Sequence, residues 1–317
     1  MEQTVSALIV AGVGGLYTLT TEEEHPLLPT TFTCRGKGAF RHQDTKLLVG
    51  DRVLVRYDDA SPLETAVIRD ILPRKNTLIR PPMANVTHLF LIVAAAKPTP
   101  MTETMDKLLA IATHNGIDAT VVLTKADIDR QSAEYYANIY RLAGFRVFIT
   151  SSQEKNTHSP VLDWLSTLPK GSIAAFAGAS GVGKSTLLNG LLPSLALETS
   201  EVSQRIQRGR HTTRRVDLYD IGGAEHPRQV YLADTPGFSL LDFVHFDFFA
   251  LEDLFDSFPD FHPYVGQCRY ADCTHTGEKA TECAIARAVE EGKIAPTRHA
   301  SYVSLYRILK EKKYTYN

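Results

Sequence analysis

The most restrictive feature of the chain is a short polar turn, Gly178-Ala179-Ser180-Gly181-Val182-Gly183-Lys184-Ser185, followed by Thr186. It lies between an apolar run, Ile173 to Ala177, and a run of helical character, Leu187 to Leu192. G-x-x-x-x-G-K-S/T between a strand and a helix is the pattern of a phosphate-binding loop. Its glycines let main-chain N–H groups curl around phosphate oxygens, and the helix start adds partial positive charge. Lys184 is then placed to reach the β- and γ-phosphates, and Ser185 to ligate Mg²⁺. A chance match in a glycine-rich turn is the alternative, and the strand and helix on either side argue against it.

The chain around this turn reads as the sheet it requires. Leu89 to Ala94 is a buried-strand run, followed by Met105, Leu108, Leu109 and Ala112 at helical spacing and a stop at Asn115-Gly116. Strand Ala119 to Leu123, helix Glu134 to Leu142, strand Arg146 to Ile149 and helix Val161 to Leu168 continue the alternation. Such alternation predicts a parallel sheet covered by helices. Upstream the pattern differs: Val5 to Val10, Leu16 to Leu19, Phe32 to Arg35, Val53 to Tyr57 and Ala66 to Ile71 read as short strands. Gly12, Gly14 and Gly15 break the first hairpin, Leu48 to Asp51 forms a turn, and the five strands predict a small barrel. Arg80-Pro81-Pro82 reads as a linker, so the expected domains are 1–80, 81–242 and 243–317.

Composition narrows the class. With 44% hydrophobic and 22% charged residues the chain is globular, not collagen-like, coiled-coil or disordered. Its net charge of −2 gives no basis for arguing nucleic-acid binding. Residues 1–80 carry ten basic and ten acidic side chains, so the barrel fits a structural or protein-contact role as well as RNA binding. The longest apolar run, Leu89 to Ala96, is far short of the roughly 20 residues of a membrane-spanning helix. Glu2, and a first basic residue only at Arg35, do not fit a secretory signal, and a cytoplasmic location is expected.

A phosphate loop does not choose a base. Thr124-Lys125-Ala126-Asp127, at the end of the Ala119 to Leu123 strand, resembles the [NT]-K-x-D guanine signature. An ionised Asp127 accepts two N–H bonds from the guanine edge, whereas adenine offers an acceptor at ring N1. The Lys125 stem would cover the base. Thr150-Ser151-Ser152 resembles the loop that approaches the guanine carbonyl. Downstream, Val230 to Ala233 delivers Asp234-Thr235-Pro236-Gly237, which fits a D-x-x-G loop. Asp234 would serve the Mg²⁺ shell and the Gly237 N–H would sense the γ-phosphate. Between these lies Arg208-Gly209-Arg210-His211-Thr212-Thr213, then an alternating run from Arg214 to Tyr219. It reads as a switch loop in which Thr212 or Thr213 completes the Mg²⁺ shell. Arg205, Arg208, Arg210, Arg214 and Arg215 fit either RNA phosphate contact or a solvated loop.

The order of these motifs is anomalous, since both guanine loops precede the phosphate loop. A circular permutation reconciles it, and it leaves the segment after Gly237 tethered to the element that moves on hydrolysis. That segment holds Cys268, Cys273, His275 and Cys283 in the spacing C-x4-C-x-H-x7-C. Three thiolates and an imidazole suit one structural Zn²⁺, and the alternative is a set of buried reduced thiols. Helical runs at Ala284 to Val289 and Ser301 to Leu309 complete a small α domain, and Lys310, Lys312 and Lys313 form a basic tail.

Barrel, Thr-Lys-Ala-Asp, phosphate loop, Gly-Arg-His-Thr-Thr, Asp-Thr-Pro-Gly and the Cys₃His set, in this order over almost the whole chain, resemble the ribosome small subunit-dependent GTPase A family. The resemblance implies an N-terminal OB-like β-barrel, a central α/β circularly permuted P-loop GTPase and a C-terminal, mainly α, zinc-binding domain. It further implies hydrolysis of GTP to GDP and phosphate with Mg²⁺, in late maturation of the bacterial small (30S) ribosomal subunit. Contact with 16S rRNA through the flanking domains follows from it, with no membrane partner and a monomeric chain. Thr124 departs from the Asn of many GTPases. Where many GTPases carry a water-orienting Gln, the chain has Phe238, and the resemblance points to His211 as the substitute. A GTP-gated binding factor reset by hydrolysis is a second reading. An ATP-using P-loop enzyme is a third, against which Thr-Lys-Ala-Asp argues.

Overall fold

The computed structural model describes residues 2–37, 46–78, 82–153, 158–191, 216–222, 229–234 and 250–315. The chain divides into two compact units, Met1–His88 with Leu162–Phe176 and Asn189–Phe238, and Leu89–Val161 with Ala177–Leu188 and Ser239–Asn317.

In the first unit, β1 (Glu2–Val13), β2 (Leu16–Thr21), β3 (Thr31–Gly36), β4 (Arg52–Asp58) and β5 (Val67–Ile71) close a barrel in the order β1-β2-β3-β5-β4. Period-two alternation produces it: β4 buries Val53, Val55 and Tyr57 and leaves Arg56 exposed. With Ala7, Ile9, Leu19, Phe32, Cys34 and Ile68 they fill the interior. A short helix, α1 (Pro62–Thr65), precedes β5. Gly12 does not break the first strand. β1 runs on to Val13 with a register shift between Ile9 and Ala11, and Gly14 and Gly15 alone make the turn. A side chain on Gly12 would stand 2.9 Å from the Tyr17 ring, so glycine lets that ring lie across the strand.

The expected turn at Leu48–Asp51 is built around Gly50, whose φ of 90° suits glycine and whose absent Cβ would stand 2.1 Å from the Ala84 carbonyl. Buried Asp51 accepts both arms of the Arg74 fork, at 2.7 and 2.8 Å. The residues flanking 79–81 pair as β6 (Thr77–Leu78) and β7 (Met83–Ala84), and Ala84 N–H donates to Val49 O, which folds this stretch back on the barrel. Arg52 donates to Glu22 at 2.8 Å and to the Gly171 carbonyl at 2.9 Å, just ahead of β11 (Ile173–Ala177). Beside β11 runs β13 (Tyr231–Asp234) in parallel, and β12 (Asp217–Asp220) follows in antiparallel.

The second unit holds β8 (His88–Ala94), β9 (Asp118–Thr124) and β10 (Arg146–Ile149) in the order β10-β9-β8, with β10 parallel to β9. Helices α2 (Thr102–His114) and α3 (Arg130–Leu142) follow β8 and β9, while α4 (Ser159–Ser166) precedes β11 and α5 (Lys184–Leu191) follows it. The C-terminal part comprises two 3-10 turns, Leu251–Asp253 and Pro259–Tyr264, with α6 (Ala284–Glu290) and α7 (Pro296–Thr315). Leu254, Phe258, Phe261, Ile285, Ile294, Tyr302 and Leu305 pack around Ala110 of α2.

The same contact contains a buried ion triad. Arg298 on α7 donates from Nη1 to Asp106 of α2 at 2.8 Å, and from Nη2 and Nε to Asp260 at 2.7 and 3.1 Å. Its guanidinium lies over the Phe258 ring, 4.6 Å from the centroid. Burial works against the charge on Arg298, and the two carboxylates more than reverse it, while burial pushes Asp106 up against the pull of the guanidinium. Arg298→Ala would strand two buried carboxylates, at a cost of about 3–5 kcal/mol. Urea unfolding is expected to show that loss, and Arg298→Met combined with Asp106→Leu and Asp260→Leu to recover most of it.

Candidate nucleotide and metal sites

β11 delivers the chain into the Gly178 turn. A side chain at Gly178 would meet the Ile92 carbonyl of β8 at 2.5 Å, so the turn lies directly on the neighbouring strand. Gly181 and Gly183 have φ of 78° and 93°, the left-handed region glycine enters without strain. Ala179 is half-buried, Ser180 and Gly181 are exposed, and Val182 anchors the loop in the core. Lys184, Ser185 and Thr186 form the first turn of α5, with Ser185 and Thr186 exposed. The start of a helix is a favourable place for an anion.

The proposed base loop stands beside it. Thr124 ends β9 buried, and its hydroxyl hydrogen-bonds the Val182 carbonyl of the phosphate loop and lies 3.3 Å from the Val93 carbonyl. Lys125 adopts a φ of 58°, and its ammonium donates to the Lys97 carbonyl at 2.6 Å. Asp127 is exposed, as a carboxylate that receives a ligand must be. Buried Ser151 donates to its Oδ1 at 2.6 Å and accepts from Gln153 N–H at 3.1 Å, which fixes the carboxylate's orientation. Ser152 follows, exposed. The second unit thus brings together Gly178 to Thr186, Thr124 to Asp127, and Ser151 with Ser152, despite their inverted order in sequence.

Asp234 ends β13 in the first unit, where the register Ile173↔Tyr231 to Ala175↔Ala233 sets the carboxyl ends of β11 and β13 side by side. His211, Thr212, Thr213, Gly237, Phe238 and the arginines from Arg205 to Arg215 lie outside the described residues.

Cys268, Cys273, His275 and Cys283 converge, their ligand atoms all within 4.8 Å of one another. The His275 Nδ1 stands 3.6, 3.4 and 3.4 Å from the sulfurs of Cys268, Cys273 and Cys283. Tetrahedral zinc, with Zn–S of about 2.3 Å and Zn–N of about 2.0 Å, sets sulfur and nitrogen about 3.5 Å apart, so the set fits a metal. Burial pushes the Cys273 thiol up to about 12 and the Cys283 thiol upward, and pulls His275 down. Three thiolates this close need a cation to be ionised together. Ala284 N–H donates to the Cys268 sulfur at 3.3 Å and Ala286 N–H to the Cys283 sulfur at 3.4 Å, so the start of α6 supports two ligands.

Glu278 was not singled out by the sequence pattern. Burial opposes its charge, yet the N–H groups of Gly277, Glu278 and Thr274 and the Thr274 hydroxyl hold it down to about 2, and Thr276 N–H donates to it at 2.8 Å. It organises the turn that presents His275, whose φ is 59°. The available signal was an acidic residue three positions after a ligand in a turn-rich segment. Asp106 offered another, a carboxylate within the apolar stripe Met105, Leu108, Leu109 and Ala112.

Comparison with known proteins identifies the family. Residues 71–244 match the family model for RsgA GTPase, and residues 7–62 that for the RsgA N-terminal domain. A protein of Geobacillus sp. (strain WCH70), named small ribosomal subunit biogenesis GTPase RsgA, is 38% identical over 312 residues, covering 97% of this chain and 98% of its own length. The crystal structure of YloQ, described as a circularly permuted GTPase, is 30% identical with a TM-score of 0.74, covering 98% of this chain and 96% of that one. YjeQ from Thermotoga maritima is also 30% identical, with a TM-score of 0.76 and coverages of 97% and 99%.

Two outcomes are expected from these sites. Asp127→Asn presents donors to guanine's own donors, so GTP affinity should fall about tenfold or more while xanthine nucleotide gains; titration with both nucleotides checks this, and unchanged GTP affinity would remove Asp127 from the base site. Elemental analysis should find one Zn²⁺ per chain, absent in Cys283→Ser, with hydrogen exchange rising mainly in residues 250–315. A metal-free chain with normal protection there would mean that the thiols are simply core.

Proposed function

The chain belongs to the RsgA GTPase family, and we propose that it couples GTP hydrolysis to late maturation of the bacterial small ribosomal subunit. The observation that carries this reading is the hydroxyl link between Thr124 and Val182, which joins a base loop to a phosphate loop in a permuted GTPase. The assignment of substrate rests also on the relatives named small ribosomal subunit biogenesis GTPase RsgA.

In this reading Gly178, Ala179, Ser180, Gly181, Val182, Gly183 and Thr186 cradle the phosphates through main-chain N–H groups and the start of α5. Lys184 neutralises charge on the transferring phosphoryl group, and Ser185 and Asp234 would hold Mg²⁺, which would supply further neutralisation of phosphate charge when bound. Asp127, oriented by Ser151, accepts the guanine N–H groups, with Thr124, Lys125 and Ser152 framing the base. Thr212 or Thr213 closes the Mg²⁺ shell, Gly237 N–H reads the γ-phosphate, and His211 orients the attacking water in place of the missing Gln. Zn²⁺ on Cys268, Cys273, His275 and Cys283 has a structural role, since four protein ligands leave no open position.

The functional domains are taken as 1–80, 81–242 and 243–317, with the two outer ones touching 16S rRNA. The protein acts as a cytoplasmic monomer; among the described residues no helix is long and apolar enough to cross a membrane.

Turnover should be slow alone and rise about tenfold or more with purified small subunits, because the chain lacks the usual Gln and needs the subunit to position its switch loop. Reciprocity requires a GTP analogue to bind the subunit more tightly than GDP does. Measured turnover and subunit affinity in both nucleotide states check this. Lys184→Ala should abolish hydrolysis; if such a variant still supported normal subunit assembly, the output would be GTP-gated docking, with hydrolysis only resetting it.

A further inference from the structure

Two consecutive carbonyls in the metal-fitting segment accept hydrogen bonds from one helix. His299 of α7 sets its Nε2 2.7 Å from the His275 carbonyl, and the Tyr302 hydroxyl donates to the Thr274 carbonyl at 3.3 Å. A carbonyl only accepts, so His299 Nε2 carries the proton. His299 and Tyr302 stand at i and i+3 on α7, which puts both donors on one face of it. The N–H groups of the same turn go to Glu278, which accepts from Thr274 at 2.9 Å, Thr276 at 2.8 Å and Gly277 at 3.1 Å.

Held by both sets of bonds, His275 adopts a φ of 59°, a region that a residue with a Cβ keeps only where its surroundings impose it. Its Nδ1 then stands 3.4 to 3.6 Å from the three sulfurs. The donors come from a seated helix, since Arg298, the residue before His299, is fixed on Asp106 and Asp260.

We infer that His299 and Tyr302 are positioning residues for the ligand His275, and that this grip from α7 sets how firmly the metal is kept. The inference rests on reading Cys268, Cys273, His275 and Cys283 as a metal site. Both residues act on main chain and not on the metal. Without the His299 donor the His275 backbone is free to relax out of the left-handed region, and its imidazole moves away from Cys268 and Cys283, which the start of α6 still supports.

The test is zinc retention by the full-length protein in competition with a chromophoric chelator, for the parent and for His299→Phe, His299→Gln, Tyr302→Phe and Ser304→Ala. His299→Phe keeps a ring near Phe261, whose centroid lies 6.4 Å from that of His299, and removes the donor, so zinc affinity should fall about tenfold. His299→Gln restores an N–H donor and should recover most of the loss. Tyr302→Phe removes the longer bond and should cost about threefold. Ser304→Ala deletes the 2.7 Å contact of α7 with Glu103 of α2 and should leave retention as in the parent. With Co²⁺ in place of zinc, the ligand-field absorption should change in His299→Phe and return in His299→Gln. If His299→Phe keeps zinc as the parent does, if Gln is no better than Phe, or if Ser304→Ala costs as much, the inference is wrong. Should His299→Phe fail to fold, Tyr302→Phe decides alone, and unchanged retention there overturns the inference. A parent that takes up no zinc fails the metal reading itself, and the inference falls with it.

Discussion

Much of the second unit depends on one close approach, the main chain of Gly178 against the carbonyl of Ile92. No other residue fits there, since even a methyl group would stand 2.5 Å from that oxygen. Because the phosphate turn can lie flat on β8, Val182 comes within reach of Thr124 on the next strand. The two halves of the candidate nucleotide site then meet at the carboxyl ends of the strands, where open α/β sheets bind ligands. Chain order is irrelevant to this geometry. What matters is which strand neighbours which, and a permutation that preserves neighbours preserves the site.

The C-terminal part is secured by different physics. Its apolar cluster includes Ala110, and the Arg298 triad adds direction to a contact that hydrophobic packing alone would leave free to slide. One planar fork ties α7 to Asp106 of α2 and to Asp260 of the Pro259–Tyr264 turn, which restricts how the three can be oriented. The tether implied by the permutation, from the D-x-x-G loop to this region, is thus not its only attachment. It is also gripped by α2, which emerges from the strand beneath the phosphate turn.

Most of the strands and helices were legible because each repeats its period several times: alternate burial in β4, and helical spacing from Met105 to Ala112. The candidate nucleotide loops stood out in the sequence because nucleotide binding demands fixed local spacing. What escaped depends mostly on partners far away in the chain. Arg298 and Asp106 are 192 positions apart, and neither residue's neighbours announce the other. β1 runs on through Gly12, which pairs with Tyr17 across the hairpin and leaves room for its ring, so a glycine read as a stop is a place for a ring. The pairing of β6 with β7 consists of two residues on each strand, too few for periodicity to show.

Cys283 does two jobs with one sulfur. It belongs to the metal-fitting set, and as N-cap of α6 it accepts from Ala286 N–H. A metal bound there would fasten the first turn of that helix from outside the chain. Ions that bind the folded form and not the unfolded one add stability in proportion to the logarithm of their free concentration. The stability of this small region would then vary with the surrounding solution, whereas the barrel, closed by its own hydrogen bonds, would be indifferent to it. One polypeptide would carry two kinds of foldedness, one written in its sequence and one on loan from the medium.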